Sequence, residues 1–201
     1  MVIYNLFDML NNLKQYNILL ASKSPRRHEL LKMLDIPFTI AENIEVDETY
    51  PADLPTEQVP LYLSQLKAKA YTSLIRDNEL IITADTVVIN NGEILGKPHT
   101  LEEAKEMLRR MSGRAHTVIS GVSITTRERQ VSFDTHTEVV FAPLTDEDID
   151  YYVERYKPLD KAGAYGIQEW IGAVAVSCIK GSFYNVMGLP VHQLYRKLLD
   201  F

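Results

Sequence analysis

The chain has 201 residues, 46% of them hydrophobic and 24% charged, and its 27 acidic against 21 basic side chains leave a formal net charge of −6. That length and balance suit one soluble α/β domain with a sizeable core, and no apolar run is long enough to span a bilayer. The acidic excess excludes a protein that coats nucleic acid through a basic face, while leaving room for an anionic ligand in a locally basic cleft.

Ile3, Leu6, Phe7, Leu10 and Leu13 recur at helical spacing without the basic region and cleavage site of a signal peptide. They predict an amphipathic helix over residues 1–16, docked ahead of the main domain at 17–201, and a cytoplasmic protein. The apolar run Ile18 to Ala21 reads as a buried strand. Ser24 then stands where it can cap a helix, Pro25 suits the first helical position, and Leu30, Leu31 and Leu34 supply the apolar stripe. Arg26 and Arg27 fall in the first turn, where cations oppose the helix dipole and gain no stability. Free amides, the hydroxyls of Ser22 and Ser24, and guanidinium forks together suit a phosphate. A surface helix that merely starts with two arginines is the plainer reading of this stretch taken alone.

Phe38–Ile40 reads as a second strand, followed by the acidic stretch Glu42–Glu48 and a loop marked by Pro51 and Pro55. Thr56 is placed to cap a long helix with the stripe Val59, Leu63, Leu66, Ala70 and Leu74, and Lys67 borders that face. Leu80–Ala84 is a buried strand with Asp85 at its C-terminal end. Val87–Ile89 and Glu93–Leu95 flank the hairpin signal Asn90-Asn91-Gly92. After Gly96-Lys97-Pro98, Thr100 and Glu103 form a capping box for a helix through Met111. Two long strands follow, about His116–Thr126 and Val131–Ala142. Thr135 and Thr137 interrupt the apolar face of the second. Thr145 caps a helix carrying Ile149, Tyr152, Val153 and Tyr156. A glycine-punctuated segment, Asp160–Gly172, precedes a strand Ala173–Ile179, in which Cys178, the only cysteine, reads as a core residue. Pro190 opens a last helix. The sum is one α/β domain with a mixed sheet, its first strands parallel, its hairpin and long meander antiparallel.

Arg26/Arg27, Lys67 and Lys97 on one side, and Glu48 and Asp85 on the other, fall at the ends of apolar elements, where active sites of α/β folds gather. Each alone is an ordinary surface charge. Together they suit Mg²⁺ on a polyphosphate, since two carboxylates completed by water and phosphate oxygens are a typical magnesium environment. The five histidines lack metal-ligand spacing, and there is no Walker loop, G-x-S-x-G elbow or cysteine–histidine signature. Tyr165, Trp170, Phe183 and Tyr184 offer stacking surfaces, but at these spacings core positions are the commoner explanation.

Six blocks resemble, in order, those of the Maf family of nucleoside-triphosphate pyrophosphatases, also called septum-formation inhibitors. They are Ser22-Lys23-Ser24-Pro25-Arg26-Arg27, Val46-Asp47-Glu48, Ala84-Asp85-Thr86-Val87-Val88, Leu95-Gly96-Lys97-Pro98, Asp160 to Gln168, and Gly181 to Pro190. The resemblance implies the fold of inosine-triphosphate pyrophosphatases, an elongated mixed sheet flanked by helices with a cleft between two lobes. It implies hydrolysis of a nucleoside triphosphate to monophosphate and pyrophosphate with Mg²⁺ or Mn²⁺, in the subgroup acting on dTTP and UTP, and a homodimer. By the same match Asp85 takes the proton-acceptor position and Glu48 another polar site position; read from the residues, Glu48 and Asp85 bring in the metal, which leaves open whether Asp85 is base or ligand. Arg26, Thr86 and Gln168 occupy specificity positions, and Lys67 and Lys97 other polar site positions. A nucleotide-binding regulator of cell division without catalysis is the rival reading, separated by pyrophosphate release from UTP. A nucleotidyltransferase is a third, and needs an acceptor site that the sequence does not offer.

Overall fold

The computed structural model describes residues 10–201. Its spine is β3 (Glu79–Asn90), buried almost throughout because both faces of the strand are covered. β1 (Asn17–Ala21) lies parallel to its first half, from Asn17↔Glu79 to Ala21↔Thr83, and β2 (Thr39–Ile40) lies parallel to β1. β4 (Glu93–Leu95) returns antiparallel on the last residues of β3 through Asn91 and Gly92, at φ 51° and 79°, the left-handed pair that a tight hairpin requires. On the other side of β3, β5 (Ala115–Thr125), β6 (Gln130–Phe141) and β7 (Val176–Lys180) form an antiparallel meander. The order is β2-β1-β3-β5-β6-β7, with β4 on β3.

Three central strands run through two separate cores on one face of this sheet. At one end Leu20, Leu80, Ile82, Ala84, Val122, Ile124 and Phe133 pack with Leu30 and Leu31 of α1 (Pro25–Lys32) and Leu194 and Leu198 of α7 (Val191–Leu199). At the other end Val88, Val118, Val139 and Phe141 pack with α3 (Leu101–Met111), α4 (Asp146–Tyr156) and Ile171 of α5 (Trp170–Ala175). Between them, in register across β3, β5 and β6, stand Thr86, Ser120 and Thr135. Polar side chains there end one hydrophobic cluster and begin the next, which divides the face into two lobes. α6 (Phe183–Met187) lies over the division, with Met187 touching both cores and Asn185 bonding to Val118 O, Thr135 O and Thr137 Oγ1. The opposite face is covered by α2 (Val59–Tyr71), through Val59 and Leu63 against Val87, Ile89 and Ile119.

The mixed sheet, its parallel start and its antiparallel meander are as the sequence predicts. Several details differ. The strand expected to stop at Asp85 continues unbroken to Asn90, because β5 pairs along its whole length. Thr56 opens a short 3-10 turn, so that α2 starts at Val59, and Leu74 is exposed because the helix ends at Tyr71. Ser64, Ala68 and Tyr71 complete its buried face instead. Glu103 at the start of α3 reaches the His99 amide and not that of Thr100, while Thr100 accepts from Glu103 as expected. Residues Trp170–Ala175 are helical, and only the end of the predicted strand at 173–179 becomes β7. Short apolar runs carry too little periodicity to separate these states. Cys178 is exposed: β7 is the sheet's edge, and the side chain stands on its open face. Of the predicted N-terminal helix, positions 1–9 lie outside the described residues, while Asn11–Leu13 make a 3-10 turn with Leu10 and Leu13 in the first core. No helix among the described residues is long and apolar enough to cross a membrane.

Candidate active site

β1 leaves β3 at Thr83 and β4 joins it at Val88, so the edge of β3 is uncovered from Ala84 to Val87. Asp85 and Thr86 fill this gap. Because side chains alternate along a strand, Asp85 faces α2 and Thr86 faces α1 and α6, so polar groups converge on the gap from both sides of the sheet. On the α2 side, Lys67 Nζ donates to Asp85 Oδ1 at 2.6 Å and lies 3.0 Å from Glu48 Oε2. The Lys67 and Asp85 side chains are 17% and 13% exposed, and that of Glu48 is 51%. Lys67 gets there because α2 rests directly on β5. Gly121, paired with Asp85, has no side chain, and a Cβ on it would lie 2.3 Å from Pro60 O and 2.4 Å from Leu61 Cα. The stretch that leads to Glu48 is tied to the same helix, one turn on: Tyr71 OH donates to Glu42 O at 2.9 Å and accepts from the Ile44 amide at 3.3 Å.

On the other side the two arginines of α1 part company. Arg27 turns inward, with Nε on Gly188 O (2.8 Å), Nη1 on Ala84 O (2.8 Å) and Nη2 on Thr86 Oγ1 (3.1 Å). Three of its five donors, one on each nitrogen, bond inside the fold, so it clamps the open edge of β3 to the α6–α7 turn. Gly188 makes this possible at φ 115°, a backbone state that other residues rarely adopt. Burial pushes the Arg27 pKa down; the nearby charge of Asp85 opposes this, and those of Arg26 and Glu48 also reach it. Thr86 Oγ1 further lies 2.8 Å from Ser120 Oγ. Arg26, one residue earlier, points out of the helix start, its side chain 25% exposed and its Nη1 2.6 Å from Asp160 Oδ2. Ser24 occupies the cap position of α1 but makes no side-chain cap bond. Ser22 Oγ instead accepts from the Ser24 amide at 3.1 Å. The first turn of α1 therefore keeps its orphan amides for another acceptor.

Asp160 opens the segment that ends at Gln168. Burial works against its charge, yet hydrogen bonds from Lys161 and Arg26 outweigh it and hold its pKa at about 2. Gln168 is exposed on this segment. Lys97 is exposed after β4, where the Gly96 carbonyl accepts from the Gly163 amide at 3.0 Å and ties that loop to the same segment. Lys67, Asp85 and Glu48 are thus in direct contact, and Arg26 and Thr86 are linked to them through Arg27 and the β3 edge. Ser22 and Ser24 sit on the adjoining loop, and Lys97 and Gln168 stand on the second lobe without contact to the carboxylates. Tyr165 is core, whereas Phe183 and Tyr184 are 39% and 37% exposed.

The donor set fits a hard divalent cation completed by its substrate. Lys67 engages one oxygen each of Asp85 and Glu48, leaving the other two oxygens unclaimed. No group of three or more His, Cys, Asp or Glu side chains converges among the described residues. Two carboxylates alone leave most of an octahedral shell to water and phosphate oxygens, which is how Mg²⁺ is usually held. Reading by motif missed Gly121, Lys161 and Glu169. Gly121 carried a signal, since a glycine inside a strand pattern marks a close backbone approach.

The Maf-like protein family matches residues 17–201. A protein of Porphyromonas gingivalis named dTTP/UTP pyrophosphatase is 57% identical over 195 residues, 96% of this chain and 98% of its own. One of the same name from Phocaeicola vulgatus is 53% identical over 190 residues, 94% of this chain and 98% of its own. Among solved structures, a HAM1 protein of Coxiella burnetii is similar with a TM-score of 0.48 at 14% identity, over 92% of this chain and 100% of that one. By the family match over all but its first sixteen residues, the chain belongs to the Maf family.

Proposed function

We propose that the chain hydrolyses dTTP and UTP to the monophosphate and pyrophosphate, with Mg²⁺ or Mn²⁺. The observation that carries this reading is the Lys67–Asp85–Glu48 cluster lodged in the open edge of β3, with Arg27 clamped to that edge from the other side and Arg26 beside it in the first turn of α1. The names of the relatives agree with it. Arg26, the first amides of α1 and Lys97 grip the triphosphate from the two lobes. The carboxylates of Glu48 and Asp85 hold the divalent ion, which when bound neutralises charge on the phosphate oxygens. Lys67 fixes Asp85 through Oδ1, and the free Oδ2 serves one of two roles, ligand to the ion or acceptor of the proton of the water that attacks the α-phosphorus, and not both at once. Gln168 reads the O4/N3 edge of uracil or thymine, donating to one atom and accepting from the other. Cytosine reverses that pattern and leaves those hydrogen bonds unmade. Thr86 supports this site by fixing the Arg27 clamp. Assembly as a homodimer follows from the family resemblance, and residence in the cytoplasm completes the reading.

Pyrophosphate release from UTP, dTTP, CTP and GTP with Mg²⁺ tests the reading. UTP and dTTP are expected to be turned over first, and Asp85→Asn to lower kcat by about 10²–10⁴. Near-normal turnover by Asp85→Asn removes the proton-acceptor role. Tight UTP binding with no pyrophosphate released gives the regulator instead.

A further inference from the structure

Lys161, 8% exposed, is the only Lys, Arg, Asp or Glu that is buried among the described residues. Stability alone does not call for it, because a buried ion pair is commonly no better than apolar side chains of the same size. Its partners show what it holds. Nζ donates to Asp160 Oδ1 at 2.7 Å and lies 3.1 Å from Glu169 Oε1. Asp160 passes the contact on to Arg26, whose Nη1 is 2.6 Å from Oδ2 and whose Nη2 is 3.4 Å from the Asp160 carbonyl. Glu169 Oε2 accepts from Tyr152 OH, and that hydroxyl accepts from the Gly166 amide at 3.0 Å. Tyr152 is itself fully buried in the second core, its ring stacked on Tyr156. There is no slack between these groups: a Cβ on Gly166 would lie 2.8 Å from Glu169 Cδ and 3.0 Å from Lys161 Cε.

We propose that Lys161, Glu169 and Tyr152 are positioning residues that set, from one buried point, both Arg26 at the phosphate end and Gln168 at the base end. The proposal rests on the roles given to Arg26 and Gln168 above. Glu169 follows Gln168 directly in the chain, so fixing its carboxylate and its amide, which donates to Gly166 O at 2.9 Å, fixes the backbone that presents Gln168. Asp160 engages two of the five N–H donors of Arg26 and leaves the rest to the phosphates. A base that fits and a triphosphate that is gripped therefore act on one rigid segment, anchored in α4 of one lobe and reaching α1 of the other.

The test compares Tyr152→Phe, which keeps the ring in its core, with Lys161→Met. UTP and CTP serve as substrates, and inorganic tripolyphosphate as a competitive inhibitor without a base. Tyr152→Phe is expected to lower the UTP:CTP ratio of kcat/KM about tenfold, mainly through KM for UTP, with tripolyphosphate inhibition little changed. Lys161→Met is expected to lower the same ratio and also to weaken tripolyphosphate about tenfold, because Asp160 then loses the buried cation that fixes it against Arg26. Equal losses for UTP and CTP together with unchanged tripolyphosphate inhibition, or a fall in melting temperature alone, overturn the proposal. If Lys161→Met does not fold, the ratio in Tyr152→Phe decides the case. Gln168→Ala separates the two readings: if it leaves the UTP:CTP ratio unchanged, the base assignment is wrong, while tripolyphosphate still reports on the Arg26 half.

Discussion

His116 sits on β5 beneath the segment that carries Gln168, 3% exposed, with Nε2 2.8 Å from Tyr165 OH and its ring edge-on to Phe141 and Tyr165. Burial pushes its pKa down from 6.5 to about 4, so the imidazole is neutral in the folded chain at pH 7, and Nδ1 has no hydrogen-bond partner. In the unfolded chain it takes a proton near pH 6.5. The stability it contributes is therefore complete above that pH and is lost as pH falls towards 4. Spread over that interval the loss comes to about 3 kcal/mol. Urea midpoints measured from pH 7 to pH 4 are expected to fall in the wild type and to flatten in His116→Gln; equal slopes would place the acid sensitivity elsewhere. Asp160, whose pKa is lowered, loses its contribution only from pH 3.8 down to about 2, outside this window. Residue type gave good guidance where charge meets a strand gap, as at Asp85 and Lys67. It could not tell Arg26 from Arg27, because neighbours in the first turn of a helix differ only in the direction they face, and that depends on Gly188, far along the chain.

The open edge of β3 has a topological cause. A parallel neighbour must leave the sheet into its helix, and a hairpin partner rejoins only as far as its turn allows; the residues between are left uncovered. The sequence shows both partners, so much of the element list was legible, including the hairpin, the meander, the Thr145 cap and the last helix. Thr135 and Thr137 were also visible as an interruption in β6. Their meaning required register, since only pairing with Ser120 and Thr86 turns isolated threonines into a boundary between two cores. Cross-strand register is a long-range property that local periodicity does not encode. The seating of α2 was only half visible: Gly121 inside a strand pattern signals a close approach, but not that α2 makes it. Gly121→Ala puts a methyl group where the backbone of Pro60 and Leu61 lies, and neither can give way as a side-chain end could. It is expected to cost about 1–3 kcal/mol in denaturant unfolding. Lifting α2 also withdraws Lys67, so kcat/KM should fall even in the folded fraction. Loss of stability with full specific activity would mean that Lys67 does not depend on this contact.

Across the whole molecule the charges at the gap cancel formally: Arg26, Arg27, Lys67 and Lys161 stand against Glu48, Asp85, Asp160 and Glu169. The chain around them carries a net charge of −6. A triphosphate with about four negative charges would enter a site whose own side chains sum to no positive charge, so its binding is expected to depend on a cation. Lys97 and the α1 amides help, but they do not offset Glu48 and Asp85, whose free oxygens face the same space. Titration calorimetry with a non-hydrolysable UTP analogue reads this without turnover. Binding is expected to weaken about tenfold or more when Mg²⁺ is replaced by a chelator. Glu48→Gln should then move the two conditions in opposite directions. Removing a carboxylate eases metal-free binding, and removing a metal ligand reduces the gain from Mg²⁺, so the ratio between conditions shrinks. If Glu48→Gln weakened both equally, Glu48 would serve only to hold Lys67. Equal affinity of the wild type with and without Mg²⁺ would mean that the protein's own cations suffice, and that the carboxylate pair belongs to the water and not to a metal.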